Sequence, residues 1–127
     1  MDKIFLFDLA SRHADWASVR QATIAANIAN ANTPAYKAAD VEPFAAVLDS
    51  THLTQARTSA GHLSPTGAEA MRAEVKPAES WEVSESGNTV SLDQQMVKAA
   101  ETNGAFTLNT SVVRAFHRMV LASVRNA

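Results

Sequence analysis

The side chains of this chain that could do chemistry are few and scattered. Four histidines, His13, His52, His62 and His117, stand too far apart to form a local metal-binding motif such as H-E-x-x-H. His117 falls in a helical pattern among apolar residues, which fits a packed or interface histidine better than a ligand. Glu79, Glu82 and Glu85 recur every third residue and could pair as a general acid and base, but in an irregular segment they read as solvated charge. The absence of cysteine excludes disulfides, thiolate metal sites and thiol nucleophiles. No G-x-S-x-G, phosphate loop or dinucleotide fingerprint is present. A small enzyme working through Glu79, Glu82 or His62 is therefore the least supported reading, and no metal, cofactor or small-molecule substrate is expected.

What remains is amide chemistry, concentrated where a helical run meets a stop. Residues 22–37 carry Asn27, Asn30 and Asn32 at the end of an aliphatic stretch, and Pro34 forbids the helix from going on. Thr33, before the proline, is pushed toward an extended conformation. Asparagine is a mediocre helix former, so Asn27 and Asn30 need a reason to be there. They either cap their own helix or bond to a neighbouring chain.

The elements that position these amides follow from composition and period. At 127 residues the chain is one ordinary domain, or less than one if its ends pack on other subunits. The net charge of −2 gives no electrostatic reason to expect nucleic acid or an acidic membrane surface. The apolar run Ile4-Phe5-Leu6-Phe7 is shorter than the roughly 7–15 residues of a secretory h-region or the roughly 20 of a membrane span. Residues alone thus suggest a cytoplasmic protein or one exported by an unusual route, and one that does not span a membrane.

Residues 8–32 are helical in pattern, with Leu9, Trp16, Val19, Ile24, Ala26 and Ile28 on an arc wider than one partner helix needs. An arm follows over 37–49, where Asp40, Glu42 and Pro43 argue against a central strand and 44–48 offers a short helical anchor. Residues 50–87 lack a sustained period, and only Trp81-Glu-Val83 hints at a strand. Ser91 and Gln94 then form a capping box for a helix running almost to Ala127. Along it, Leu92, Ala99, Phe106, Val113 and Val120 alternate with Met96, Asn103, Thr110, His117 and Val124 in heptad spacing, with Val112, Phe116 and Met119 widening the apolar surface. Gly104 invites a local bend.

The expected fold is mainly α: long N- and C-terminal helices packed as an antiparallel coiled-coil hairpin with an irregular middle. The segments are 1–36, 37–87 and 88–127, with the first and last forming one structural unit. So much apolar helix surface favours a hairpin that polymerises or joins a larger assembly.

Ala26-Asn-Ile-Ala-Asn-Ala-Asn-Thr-Pro-Ala-Tyr-Lys37 resembles the signature shared by bacterial flagellar rod, hook and hook-associated proteins. The short chain points away from the hook and distal rod members, which carry added domains. Ser86-Gly-Asn-Thr-Val-Ser-Leu-Asp-Gln-Gln-Met96 is similar to the segment opening the C-terminal helix of the proximal rod branch, and Arg57-Thr-Ser-Ala-Gly-His-Leu63 resembles that branch's central loop. The entry and inner motifs of the other short rod protein, FlgC, are not seen, so a FlgC-like chain is the alternative, with a cytoplasmic helical adaptor or export chaperone behind it. Where the family usually has glycine after the proline this chain has Ala35, which predicts a type I rather than a type II turn.

The resemblance implies a structural subunit of the periplasmic rod, exported by the flagellar type III apparatus without a cleaved signal peptide. It implies polymerisation through helix–helix contacts that pass torque from the membrane ring to the distal rod and hook. Implied partners are further copies of the chain, the rod proteins FlgC and FlgF, the adaptor FliE and the ring protein FliF. On the N-terminal side the interface is expected to draw on Trp16, Val19, Ile24, Asn27, Ile28, Asn30, Thr33, Pro34 and Tyr36. On the C-terminal side it is expected to use Leu92, Met96, Phe106, Val113, Phe116, His117 and Val120.

Overall fold

The computed structural model describes residues 5–50 and 73–125. Two long helices, α1 (Phe5–Ala29) and α3 (Leu92–Arg125), form an antiparallel hairpin. Their pairing is read from its ends. Asn27 bonds Gln95 at one end, and Phe7 meets Phe116 edge-on at 5.7 Å at the other, with Asn109 donating to the Ala10 carbonyl at 2.9 Å between them. α3 has 34 residues, about 50 Å of helix, and runs through Gly104 without interruption. The expected helical hairpin is thus the architecture observed.

Between the helices lie β1 (Ala39–Val41), α2 (Phe44–Ser50) and β2 (Val75–Pro77). β1 and β2 pair antiparallel, Ala39 opposite Pro77 and Val41 opposite Val75, so both strands are edges and the nearby prolines are tolerated. The N–H of Glu42 donating to Glu74 and that of Ala78 donating to Ala38 lengthen the ladder at each end. Trp81-Glu-Val83 is not a strand; Ser80 ties that stretch down instead, its hydroxyl donating to the Thr89 carbonyl at 2.6 Å. The resemblance at 57–63, with His52 and His62, lies outside the described residues.

The apolar core is small. Trp16 and Ala17 of α1 meet Val41 and Val47, with Phe44 and Ala73 against them. The Trp16 indole N–H donates to the Glu42 carbonyl at 2.8 Å, so the largest core side chain also fixes the arm.

Two local expectations are corrected. Gln94 does not close a capping box: its side-chain amide donates to the Glu79 carbonyl at 3.0 Å, while its N–H reaches Ser91 Oγ only at 3.5 Å. Ala35 has φ +60°, and the Tyr36 N–H bonds the Thr33 carbonyl at 3.3 Å, so the turn over Pro34 has the positive third position of type II, not the type I expected from alanine. Tertiary bonds impose it: the Ala35 N–H donates to the Ser86 carbonyl at 2.9 Å. The second segment of this contact turns at Gly87, φ +79°, where a side chain would be strained.

Gly104 within α3 and Ala35 in the turn predict opposite exchanges with the same sign. Gly104→Ala, at a helix position where a new Cβ meets nothing within 4 Å, should stabilise the fold by about 0.5–1 kcal/mol. Ala35→Gly should stabilise it by up to about 1 kcal/mol through relief of the left-handed backbone. Chemical denaturation of the purified chain checks both.

Candidate subunit interface

The end of α1 is held by a buried asparagine. Asn27 is 0% exposed. Its Nδ2 donates to the Ala39 carbonyl at 2.7 Å and to Gln95 Oε1 at 3.0 Å, and its Oδ1 accepts the Ala39 N–H at 3.1 Å. The amide therefore pairs with the β1 backbone as a neighbouring strand would, and its spare hydrogen reaches α3. Gln95 Nε2 is left without an acceptor. Asn88 does a similar task one turn outward: its Nδ2 donates to the carbonyls of Asn30 (2.9 Å) and Thr33 (2.7 Å), and its Oδ1 accepts the Val90 N–H at 2.7 Å. Asn30 caps its own helix, donating to the Ala26 carbonyl at 2.8 Å. Of the two roles open to these amides, Asn30 takes the local one, while Asn27 bonds across its own chain.

Below this junction an ionic cluster joins the same three elements. Asp40 on β1 accepts from Arg20 of α1 at 3.1 Å and from Lys98 of α3 at 2.9 Å, and Arg20 also lies 3.8 Å from Glu101. Partial burial pushes the Asp40 carboxyl upward, but bonds from Arg20, Lys98 and the Val41 N–H outweigh it and hold it below the usual carboxylate range. His13 packs edge-on to Phe44 at 4.8 Å and beside Trp16 at 5.5 Å, and burial lowers its pKa below the ordinary value.

The face that α3 turns to α1 is not the apolar heptad line. It consists of Gln95, Thr102, Asn109 and Phe116, seven residues apart and one position before Met96, Asn103, Thr110 and His117. That offset rotates the helix by about 100°. Gln95 accepts from Asn27, Thr102 donates to the Lys98 carbonyl of its own helix, and Asn109 donates to the Ala10 carbonyl, so every residue of the polar seam is bonded within the hairpin, with only Gln95 Nε2 left over. The rotation leaves Leu92, Met96 (67% exposed), Phe106 (48%), Val120 and Val124 facing out. Alongside them a groove of about 370 Å³ opens between α3 and the small side chains Ala17, Ala22 and Ala25 of α1.

The expected interface positions divide accordingly. Trp16, Ile24 and Asn27 are buried inside the chain. Asn30, Tyr36, Val113 and Phe116 are half-buried, and Val19, Ile28, Thr33, Pro34, Leu92, Met96, Phe106, His117 and Val120 are exposed. Sequence reasoning missed Asn88, Asp40, Gln95, Thr102 and Asn109. The last three carry the same seven-residue spacing as Phe116, a signal hidden by their polarity. Among the described residues no group of three His, Asp or Glu could hold a metal ion, and no helix is long and apolar enough to cross a membrane.

A helical hairpin with an Asn-rich helix exit before proline and an open apolar face is the form of a helical interaction subunit, and comparison with known proteins gives it a family. The family model described as "Flagella basal body rod protein" matches residues 16–37, which span Trp16, the Asn27 junction and the Pro34 turn. The flagellar basal body rod protein FlgB of Agrobacterium fabrum is 45% identical over 129 aligned positions, covering 98% of this chain and 96% of that protein. The chain belongs to the FlgB family of flagellar basal-body rod proteins.

Two measurements test the junction. Asn27→Ala strands the Ala39 N–H and carbonyl and should cost roughly 3 kcal/mol of stability. In acid, stability should fall in two steps. His13, neutral in the fold, begins to cost stability as pH drops below its ordinary value of 6.5, because the unfolded chain then binds the proton first. Asp40, with its folded pKa lowered, contributes stability above its ordinary 3.8 and loses it as pH falls through the folded value. Denaturation curves of His13→Gln and Asp40→Asn should each lack one step.

Proposed function

We propose that the chain is a structural subunit of the proximal rod in the periplasm, with no catalytic role, which polymerises through its helix faces and passes torque from the membrane ring to the distal rod and hook. In this reading it contacts further copies of itself, the rod proteins FlgC and FlgF, the adaptor FliE and the ring protein FliF. It reaches that position through the flagellar export apparatus without a cleaved signal peptide.

The observation that carries the reading is the outward apolar line Leu92, Met96, Phe106, Val120 and Val124, on a chain of the FlgB family whose own hairpin does not use it. Exposed patches of this kind mark interaction sites. Torque then passes through many modest helix contacts whose repetition makes small terms large.

Because Met96 is 67% exposed and Phe106 48%, Met96→Asp should change monomer stability by about 0.5 kcal/mol and Phe106→Asp by about 1–2 kcal/mol, neither enough to unfold an ordinary domain. They should nevertheless remove the chain from isolated basal bodies and abolish swimming. Normal motility in both variants would sink the interface reading.

A further inference from the structure

Charges of α3 and of the segment before it are unevenly spread along the hairpin, and Lys37, whose Nζ donates to the Gly87 carbonyl at 2.8 Å, is a cation that the fold brings into the acidic stretch. Between residues 79 and 93 stand four carboxylates, Glu79, Glu82, Glu85 and Asp93, and no cation. Between 102 and 125 stand three arginines, Arg114, Arg118 and Arg125, and no acid. All seven are exposed, and none of them makes an ion pair among the described residues. Helix-dipole compensation accounts for Arg125 in the last turn but not for Arg114, eleven residues earlier.

Each charged end also surrounds exposed apolar side chains. At the acidic end Trp81 is 67% exposed, with Val83 beside it in sequence. At the basic end Met119, Leu121 and Val124 are exposed on the C-terminal side of the Phe7–Phe116 contact. The acidic segment is fixed at the start of α3 by the Gln94 bond to the Glu79 carbonyl. From there to Arg114 is about 30 Å of helix, and to Arg125 about 46 Å. The two ends cannot meet within one chain.

We propose that the arginine-rich aliphatic end of α3 docks on the acidic Trp81–Val83 end of a second copy, so that copies join head to tail. The inference rests on the reading of the chain as a self-associating subunit and gives that association a direction. Unlike ends in contact form a heterologous interface, which continues as a helical or linear array instead of closing into a dimer. Opposite charge aligns the ends and rejects like-to-like contacts, and the apolar residues supply the buried area.

The cysteine-free chain allows a direct test. Full-length Val83→Cys and Val124→Cys chains, both changed at exposed positions, are purified, shown by circular dichroism to keep their helix content, mixed at high concentration and oxidised. The expected product is the mixed 83–124 dimer in excess over both same-residue dimers, and a ladder from the double variant. Glu82→Lys with Glu85→Lys should slow cross-linking about tenfold, and Arg118→Glu with Arg125→Glu in the partner should restore it. Equal yields of the three dimers, no cross-link, or no effect of charge reversal would overturn the inference. Presence of the unaltered chain in isolated basal bodies is read separately, so failure of the rod reading is distinguishable from failure of the head-to-tail contact.

Discussion

A side-chain amide buried among three chain segments can be satisfied in few ways, and Asn27 uses that constraint to set the subunit's geometry. Ala39 supplies both a donor and an acceptor to the amide, which fixes which atom of Asn27 faces which. The remaining Nδ2 hydrogen then needs an acceptor, and Gln95 must present its oxygen. The orientation of the Gln95 amide is thereby decided from α1, even though its own Nε2 goes without a partner. A buried unpaired donor costs on the order of 1–3 kcal/mol. That cost is accepted where one arrangement of α1, β1 and α3 has to win over its neighbours.

The position of Gln95 determines what the rest of α3 shows to solvent. With Gln95 facing α1, residues 102, 109 and 116 follow at heptad spacing, and the stronger apolar line one residue on is turned away. The Asp40 cluster reinforces the same rotation, because Lys98 reaches the carboxylate from α3 while Arg20 reaches it from α1. Polar groups thus choose the register of the hairpin, and hydrophobic groups are left for other contacts. A hairpin that buried its apolar line would have a larger core but a mute surface.

The two helices, their antiparallel pairing and the break before Pro34 were legible because period, capping residues and proline act locally. The seam was not. Heptad spacing at 95, 102, 109 and 116 was present in the letters, but Gln, Thr and Asn look like solvent residues until a partner amide or carbonyl is placed opposite them. The strand pairing was likewise hidden, since β1 and β2 are three residues each and their register depends on contacts across a long intervening segment. Ala35 shows the limit from another side. Alanine's intrinsic dislike of positive φ argued for a type I turn, but bonds from Ser86 and Asn88 to the flanking backbone override a preference of about 1–2 kcal/mol.

The division between polar seam and open apolar face also says where stability resides. Among the described residues the apolar core of the isolated subunit centres on Trp16, Ala17, Val41 and Val47. Covering a half-exposed Leu, Met, Phe or Val adds about 1–2 kcal/mol for each residue. The outward line of α3 therefore holds a contribution comparable to the net stability of an ordinary small domain, released only when a partner lies against it. In the proposed assembly each contact would also support the hairpin that makes it. In the proposed polymer, stiffness under load would be set by repeated helix faces whose rotation is fixed, inside every subunit, by the Asn27 junction and the Asp40 cluster.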